Sequence, residues 1–273
     1  QVMNDTRPHD IELDGDAEVS YFSVSATDAT LRGNHTLEVG SALEVNVNGI
    51  LYVGDASTPT AIETPTATIN GTLVVQPRST VQADATTING GTLNVNNASY
   101  IAETIDMSEG ALRTSSDSFV VTGQLNGDED SIVGGYVIIT GTGGRYTGEY
   151  DAAYIDIDDD AEAVLYAGEG LTLGGDGTVK LQYRGDTAID GIDADELTIL
   201  LNDPNSSSIG STLELRESSW LEEGSVEFGM SAVQSAKTLG IGAPVILEGD
   251  LVLGDEAQVV VNQDRDTDKG KVM

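Results

Sequence analysis

An asparagine–glycine turn that returns at a near-constant interval constrains this chain more than any other feature. Ile69-Asn70-Gly71-Thr72-Leu73-Val74-Val75 is echoed by Ile88-Asn89-Gly90-Gly91-Thr92-Leu93-Asn94-Val95. A looser copy stands at Val47-Asn48-Gly49-Ile50-Leu51-Tyr52-Val53, and Glu109-Gly110-Ala111-Leu112 follows downstream. Gly49, Gly71, Gly90, Gly110 and Gly127 recur about every 17 to 22 residues, the interval of a solenoid repeat. A β-helix rung needs about that length for two or three short strands and their corners, and its apolar side chains stack on the next rung. Asn-Gly between apolar runs also signals a hairpin. Here the run ahead of each Asn-Gly is too short for a hairpin arm, and the turn returns at fixed spacing instead of between matched strands. Glycine at such corners makes positive φ cheap.

The fold expected is all-β, a parallel β-solenoid (β-helix), with an antiparallel β-sandwich as the alternative. In a coil, Ile69, Leu73, Ile88, Leu93 and Leu112 point inward, and 72–75 pairs with 92–95 in parallel register. Antiparallel pairing across Asn70-Gly71 would mark the sandwich. The repeat is clearest from about Thr36 to Gly127. Later segments keep its grammar of glycine followed by an alternating strand, as in Gly170-Leu171-Thr172-Leu173-Gly174 and Gly249-Asp250-Leu251-Val252-Leu253-Gly254. A weak helical period covers 231–238. The division expected is 1–35 as an N-terminal cap or arm, 36–150 as solenoid repeats, and 151–273 as a second, less regular β-rich region continuing the solenoid. The start at Gln1 and the ending at Met273 are read as those of a processed or partial product.

Composition narrows the setting. The chain has 273 residues, with 46 Asp plus Glu against 12 Lys plus Arg, a net charge of -34. Self-repulsion at this density opposes compaction unless salt screens it; at molar salt the Debye length falls to roughly 3 Å. The chain therefore reads as a protein of a halophile or of a virus that infects one, and it should lose structure below roughly 0.5 M salt. Hydrophobic content of 39% separates it from an acidic disordered tail. The absence of cysteine excludes disulfides and thiolate chemistry. No run approaches the ~18 apolar residues of a membrane span. Nucleic acid is disfavoured as a partner, because phosphate affinity comes from Lys and Arg.

Catalytic chemistry finds little footing. The only imidazoles are His9 and His35, both read as loop residues, and no Gly-x-Ser-x-Gly elbow is present. Carboxylate pairs arise by chance in so acidic a chain, so they carry no signal for glycoside hydrolysis. Lys180 and Arg184 are read as solvated neighbours on one strand. Trp220, the single tryptophan, is read as a core or interface anchor, with a sugar-stacking platform as the alternative.

Metal binding has more support. Asp264, Asp266 and Asp268 resemble the start of an EF-hand calcium loop, although Gly270 falls one place late and the chain ends before a terminal Glu. Asp156, Asp158 and Asp160 alternate, which would place three carboxylates on one face of an extended segment. Calcium is the candidate ion, with solvated surface as the competing reading, and no cofactor is required. Five Asn-x-Ser/Thr sequons, at Asn4, Asn34, Asn70, Asn97 and Asn205, are candidates for glycosylation and agree with an exterior protein.

The Ile-Asn-Gly-Thr-Leu-Val-Val and Ile-Asn-Gly-Gly-Thr-Leu-Asn-Val units resemble rungs of secreted β-solenoid adhesins and of viral tail fibres and spikes. The likeness covers about a third of the chain well and carries over no functional residue. It implies an elongated, rigid, exterior protein, on a virion surface or a cell surface in high salt. Its expected partners are copies of itself in a homotrimer or larger assembly, virion or cell-envelope proteins, and host surface glycans. The expected function is that of a non-enzymatic structural or attachment protein of a halophilic virus particle: a tail fibre, spike or capsid-surface component. The alternatives are a haloarchaeal cell-surface adhesin or envelope protein, and a β-helical carbohydrate-active enzyme.

Overall fold

The structure, a computed structural model, describes residues 2–3, 9–115, 118–128, 131–133, 136–146, 148–159, 161–182, 187–201, 211–215, 219–228, 237–241, 245–247, 250–253 and 258–261. Among them no helix occurs. Every strand pairing resolved residue by residue is parallel. The fold is a parallel β-solenoid, and the antiparallel sandwich is overturned: Thr72–Val75 lies in register against Thr92–Val95, with Leu73 beside Leu93. The chain forms two compact units, Gln1–Ile138 and Ile139–Met273.

In the N-terminal unit, one long and one short strand make each turn. The long strands Ala17–Val24, Thr36–Val45, Ala61–Ile69, Thr80–Asn89, Ser99–Ser108 and Phe119–Asp128 lie side by side. The short strands run in a second sheet from His9–Glu12 through Ala29–Arg32, Ile50–Val53, Thr72–Val75, Thr92–Val95 and Ala111–Thr114 to Ser131–Val133. Register partners are separated by 19 residues (Leu93 and Leu112) to 25 (Thr36 and Ala61). The segment 1–35, expected as a cap or arm, carries strands paired in the same parallel manner: His9–Glu12 against Ala29–Arg32, and Ala17–Val24 against Thr36–Val45.

The interior is built of columns. Leu51, Leu73, Leu93, Leu112 and Ile132 follow one another in register, each fully buried. Ile69 and Ile88 do the same on the other sheet. All five residues expected inside are therefore inside. Full burial of a side chain of this size stabilises by about 1.5–3 kcal/mol, and each rung contributes several. One polar pair enters the interior where the Tyr100 hydroxyl lies 2.7 Å from Thr86 Oγ1. Long strands change phase at mid-length. In Ala61–Ile69 the inward residues are Ile62 and Thr64 before Pro65-Thr66, and Ala67 and Ile69 after. The bend divides the long side into two walls, so the coil has three. Pro65, which has no N–H to donate, sits at that bend, and the register runs past it from Thr64 to Thr66.

Glycine plays a different part at the corner from the one expected. A Cβ on Gly71 would lie 2.3 Å from the carbonyl oxygens of Asn46 and Gly49; on Gly91, 2.3 Å from Ile69 O and 2.6 Å from Gly71 O. The same column continues through the backbone bonds Thr72 N to Gly49 O, Thr92 N to Gly71 O and Ala111 N to Gly91 O. These glycines clear the rung below. Positive φ falls instead on the residue before the glycine, at Asn48 (63°), Gly90 (64°) and Glu109 (53°). Gly91, not Gly90, is thus the partner of Gly71.

The C-terminal unit is a less regular parallel coil. Register separations range from 16 residues (Glu162 and Thr178) to 27 (Asp193 and Trp220). Its first walls are separate strands, Ala153–Ile157 and Glu162–Tyr166 stacking on Leu171–Gly175 and Thr178–Gln182. Further on the wall is continuous, Gly191–Leu201 against Ser219–Phe228. A third sheet runs through Thr187–Ile189, Ser211–Leu215, Lys237–Ile241 and Gln258–Val261. Of the weak helical period at 231–238, Lys237 and Thr238 lie in a strand and the rest falls outside the described residues.

Candidate functional site

Alternation along parallel strands assigns every second residue to the outside, and stacking repeats it along the coil. The outward face of the N-terminal unit's long strands therefore presents columns. Glu18, Glu38 and Glu63 are successive register partners and all exposed, with Gln82 following in the same column. Adjacent strands are about 4.8 Å apart, so three carboxylates stand at that spacing without a cation in register. Further along the same column the residues become Ile101 and Val121. Beyond the bend, on the other wall of the same strands, a second column runs Glu44, Thr68, Thr87, Asp106 and Asn126, where Asn126 Nδ2 donates to Asp106 Oδ1 at 2.8 Å. Tyr21 donates to the Glu44 carboxylate, and that bond raises the tyrosine's pKa.

These columns were not foreseen. Their sequence signal is an apolar–Glu–apolar triplet (Ala17-Glu18-Val19, Leu37-Glu38-Val39) or its variant Ile62-Glu63-Thr64. It becomes readable only once the register is known.

The alternating aspartates are partly brought together. Asp156 points outward from Ala153–Ile157, and Asp158 is exposed at the corner that follows; Asp160 lies outside the described residues. The next rung adds Asp176, whose backbone N–H donates to Ile157 O. Loss of hydration raises the Asp176 pKa, and the charges of Asp159, Asp158 and Asp156 raise it further. The corner is one of mutual repulsion. Among the described residues no group of three or more His, Asp or Glu side chains is arranged to hold a metal ion. Asp264, Asp266 and Asp268 lie outside the described residues.

The sequons divide by corner. Asn34 and Asn97 are exposed on the corner between a short strand and the next long one, Asn97 with φ of 48° and its Oδ1 accepting from Ser115 Oγ at 3.0 Å. Asn70 is half-buried at the glycine corner, where Asn89 Nδ2 approaches its Oδ1 at 3.4 Å. Asn4 and Asn205 lie outside the described residues.

Two of the described cations are tied to acids. Lys180 pairs with Glu162, while Arg184 falls outside the described residues. Arg32 reaches Asp10 and Glu12, each at 3.7 Å. His9 begins a strand instead of lying in a loop, and its Nε2 is buried without a hydrogen-bond partner. His35 stands 3.6 Å from Asp16. Trp220 belongs to the strand Ser219–Phe228. Tyr150 is buried with its hydroxyl unpartnered, edge-on to Tyr146 at 5.5 Å between ring centroids, and burial holds its pKa well above the usual range.

The geometry offers extended, carboxylate-rich and hydroxyl-rich faces on a stiff hydrogen-bonded coil. No model of a protein family, no curated protein and no solved structure matches the chain.

Proposed function

We propose that this chain is a structural or attachment component of a halophilic virus particle (a tail fibre, spike or capsid-surface protein) and that it performs no catalysis. The observation that carries the reading is the exposed column Glu18, Glu38, Glu63 within a chain of net charge -34. Carboxylates stacked at strand spacing are tolerable where the Debye length, about 3 Å at molar salt, is shorter than their separation. Stacked, cross-bonded rungs also favour a mechanical role, since each turn is held to its neighbours by main-chain hydrogen bonds and a continuous apolar interior. On this reading the coil holds a binding element away from a particle surface, or touches a host surface along its polar faces, as one of several identical copies.

Mass spectrometry and immunogold labelling of purified halophilic virus particles test the proposal. The expected result is the chain in intact particles, with label on their exterior. Recovery from envelopes of uninfected cells, and not from particles, would assign it to a cell-surface adhesin instead. Polysaccharide turnover abolished by a single carboxylate substitution would overturn the non-catalytic reading.

A further inference from the structure

Four asparagine–glycine pairs stand in the sequence: Asn48-Gly49, Asn70-Gly71, Asn89-Gly90 and Asn126-Gly127. This dipeptide is prone to ring closure. The glycine nitrogen loses its proton and attacks the asparagine Cγ; the Cγ–Nδ2 bond breaks and ammonia leaves. Water then opens the cyclic imide to aspartate or isoaspartate. The reaction needs an uncommitted glycine N–H and a backbone free to rotate.

The coil withholds those conditions unevenly. The N–H groups of Asn70 and Gly71 both donate to Val45 O, at 2.8 and 3.0 Å, and that of Gly90 donates to Ser108 O at 2.8 Å. Each of these bonds runs to a neighbouring rung. Asn126 is in register with Asp106, and its own amide is held by that carboxylate at 2.8 Å. Gly49 differs, because its N–H donates to Asn46 O, 2.8 Å away within the same turn. Asn48 itself is exposed, in the left-handed region at φ 63°.

We propose that Asn70, Asn89 and Asn126 are latent deamidation sites that the stacked rungs hold shut, whereas Asn48 is a site that fraying of its own turn opens in the folded protein. Freeing Gly71 or Gly90 requires rungs to separate, a sub-global opening; freeing Gly49 requires only a turn to fray. The consequences differ as well. Isoaspartate adds a carbon to the main chain. At Asn70 it would enter a corner where a single Cβ on Gly71 already meets two carbonyl oxygens at 2.3 Å. An unwound coil that has reacted there cannot re-form the corner, so deamidation turns a reversible unwinding into a permanent one. At Asn48 the same insertion meets a looser corner, where a Cβ on Gly49 would lie 2.6 Å from Val24 O and 2.9 Å from Asn46 O, so the strain on the stack is smaller.

The test follows the full chain at one pH and temperature, folded in concentrated potassium chloride and unfolded in guanidinium chloride. Peptide mass spectrometry reads deamidation at each pair. Unfolded, all four should react at comparable rates. Folded, Asn70, Asn89 and Asn126 should react more than about tenfold slower than Asn48, as expected for bonds that open only with their rung. Equal folded rates at Asn48 and Asn70 would overturn the proposal, whether both were fast or both protected. The refolded fraction should also fall with time spent unfolded, and the variant carrying N70S and N89S should retain it. A variant that loses refolding as fast as the parent would remove the claim of permanence.

Discussion

The two corners of the N-terminal coil that join long and short strands obey different rules. One carries the column Gly49, Gly71, Gly91 and Gly110, where each glycine passes close to the backbone of the rung below. The other is crossed by Gly33-Asn34-His35, by the longer excursion 54–60, and by Asn96-Asn97-Ala98. In that excursion Asp55 Oδ1 accepts from Ser57 N, Ser57 Oγ and Thr58 N, each at 2.7 Å, which closes 55–58 on itself, while its ends are tied to neighbouring rungs by Gly54 N to Leu31 O and Thr60 Oγ1 to Gly33 O. The bonds that Asp55 accepts also lower its pKa. Clearance between rungs dictates a column of glycine at the first corner; at the second it acts only in places, as at Gly33, whose Cβ would lie 2.4 Å from Leu13 O, and the stretch 55–58 carries no glycine.

The largest effect should therefore come from G71V. Its Cβ would meet two main-chain oxygens that cannot withdraw without parting the rungs. A loss of about 3 kcal/mol or more is expected in denaturant unfolding at high salt. The matching change on the other corner is an insertion between Thr58 and Pro59 that doubles the excursion, with the Asp55 bonds retained. Loop closure predicts a cost of only about 0.6 kcal/mol. Equal costs would erase the distinction between the corners.

The wall between the corners supplies the next measurement. Tyr100 is wholly buried, and that burial raises its pKa above the roughly 10 of an exposed tyrosine, against a smaller lowering from its bond to Thr86. Unfolding lets the phenol ionise at its ordinary value. The stabilising difference is thus complete below pH ~10 and is lost as the pH rises above it. Tyr150, raised by burial in the C-terminal unit, acts in the same direction. Alkaline titration followed by circular dichroism should show unfolding beginning above that point. Y100F should weaken the alkaline sensitivity while costing about 1–3 kcal/mol at neutral pH, because the buried Thr86 hydroxyl loses its partner. An unchanged alkaline limb in Y100F would mean that the wall opens elsewhere.

What could be read in the sequence follows from the same distinction. The rung was legible at 69–75 and 88–95 because clearance imposes glycine and stacking imposes leucine at matching places. The N-terminal rung was not, since Ser25-Ala26-Thr27-Asp28, which stands at the same corner as Asn46 to Gly49, carries no glycine, although its strands pair identically. The role of glycine was misread for a local reason. A sequence shows that Gly71 follows a turn residue, but not that Asn46 O and Gly49 O lie beneath it. The alternation of Asp156 and Asp158 was visible, whereas Asp176, twenty residues beyond Asp156, joins them only through stacking. The Glu18, Glu38, Glu63 column was hidden by unequal turn lengths of twenty and twenty-five residues.

That column tests the solvent. Circular dichroism during dialysis should show the coil losing structure below roughly 0.5 M salt. E38Q removes the central charge of three and should move the midpoint to lower salt, by a small amount, since one charge of a net -34 is neutralised. A spectrum and melting temperature unaffected by salt would contradict the reading of the charge and weaken the proposed habitat with it.

The smallest effect should lie within the glycine corner itself. Val47 is two residues from Gly49, yet 69% exposed, and it points away from the rung below. If the corner is intolerant because backbones approach each other at the glycines, that intolerance must end where the chain bulges outward. V47S should then change stability by no more than about 0.5 kcal/mol, the range for surface positions without a special role. A cost approaching that of G71V would place the constraint on the whole corner rather than on its glycine column. A neutral V47S that impaired assembly or attachment would instead identify the exposed valine as a contact. Measuring unfolding and particle binding on the same variant separates these outcomes, because clearance acts only on the first and an interface acts only on the second.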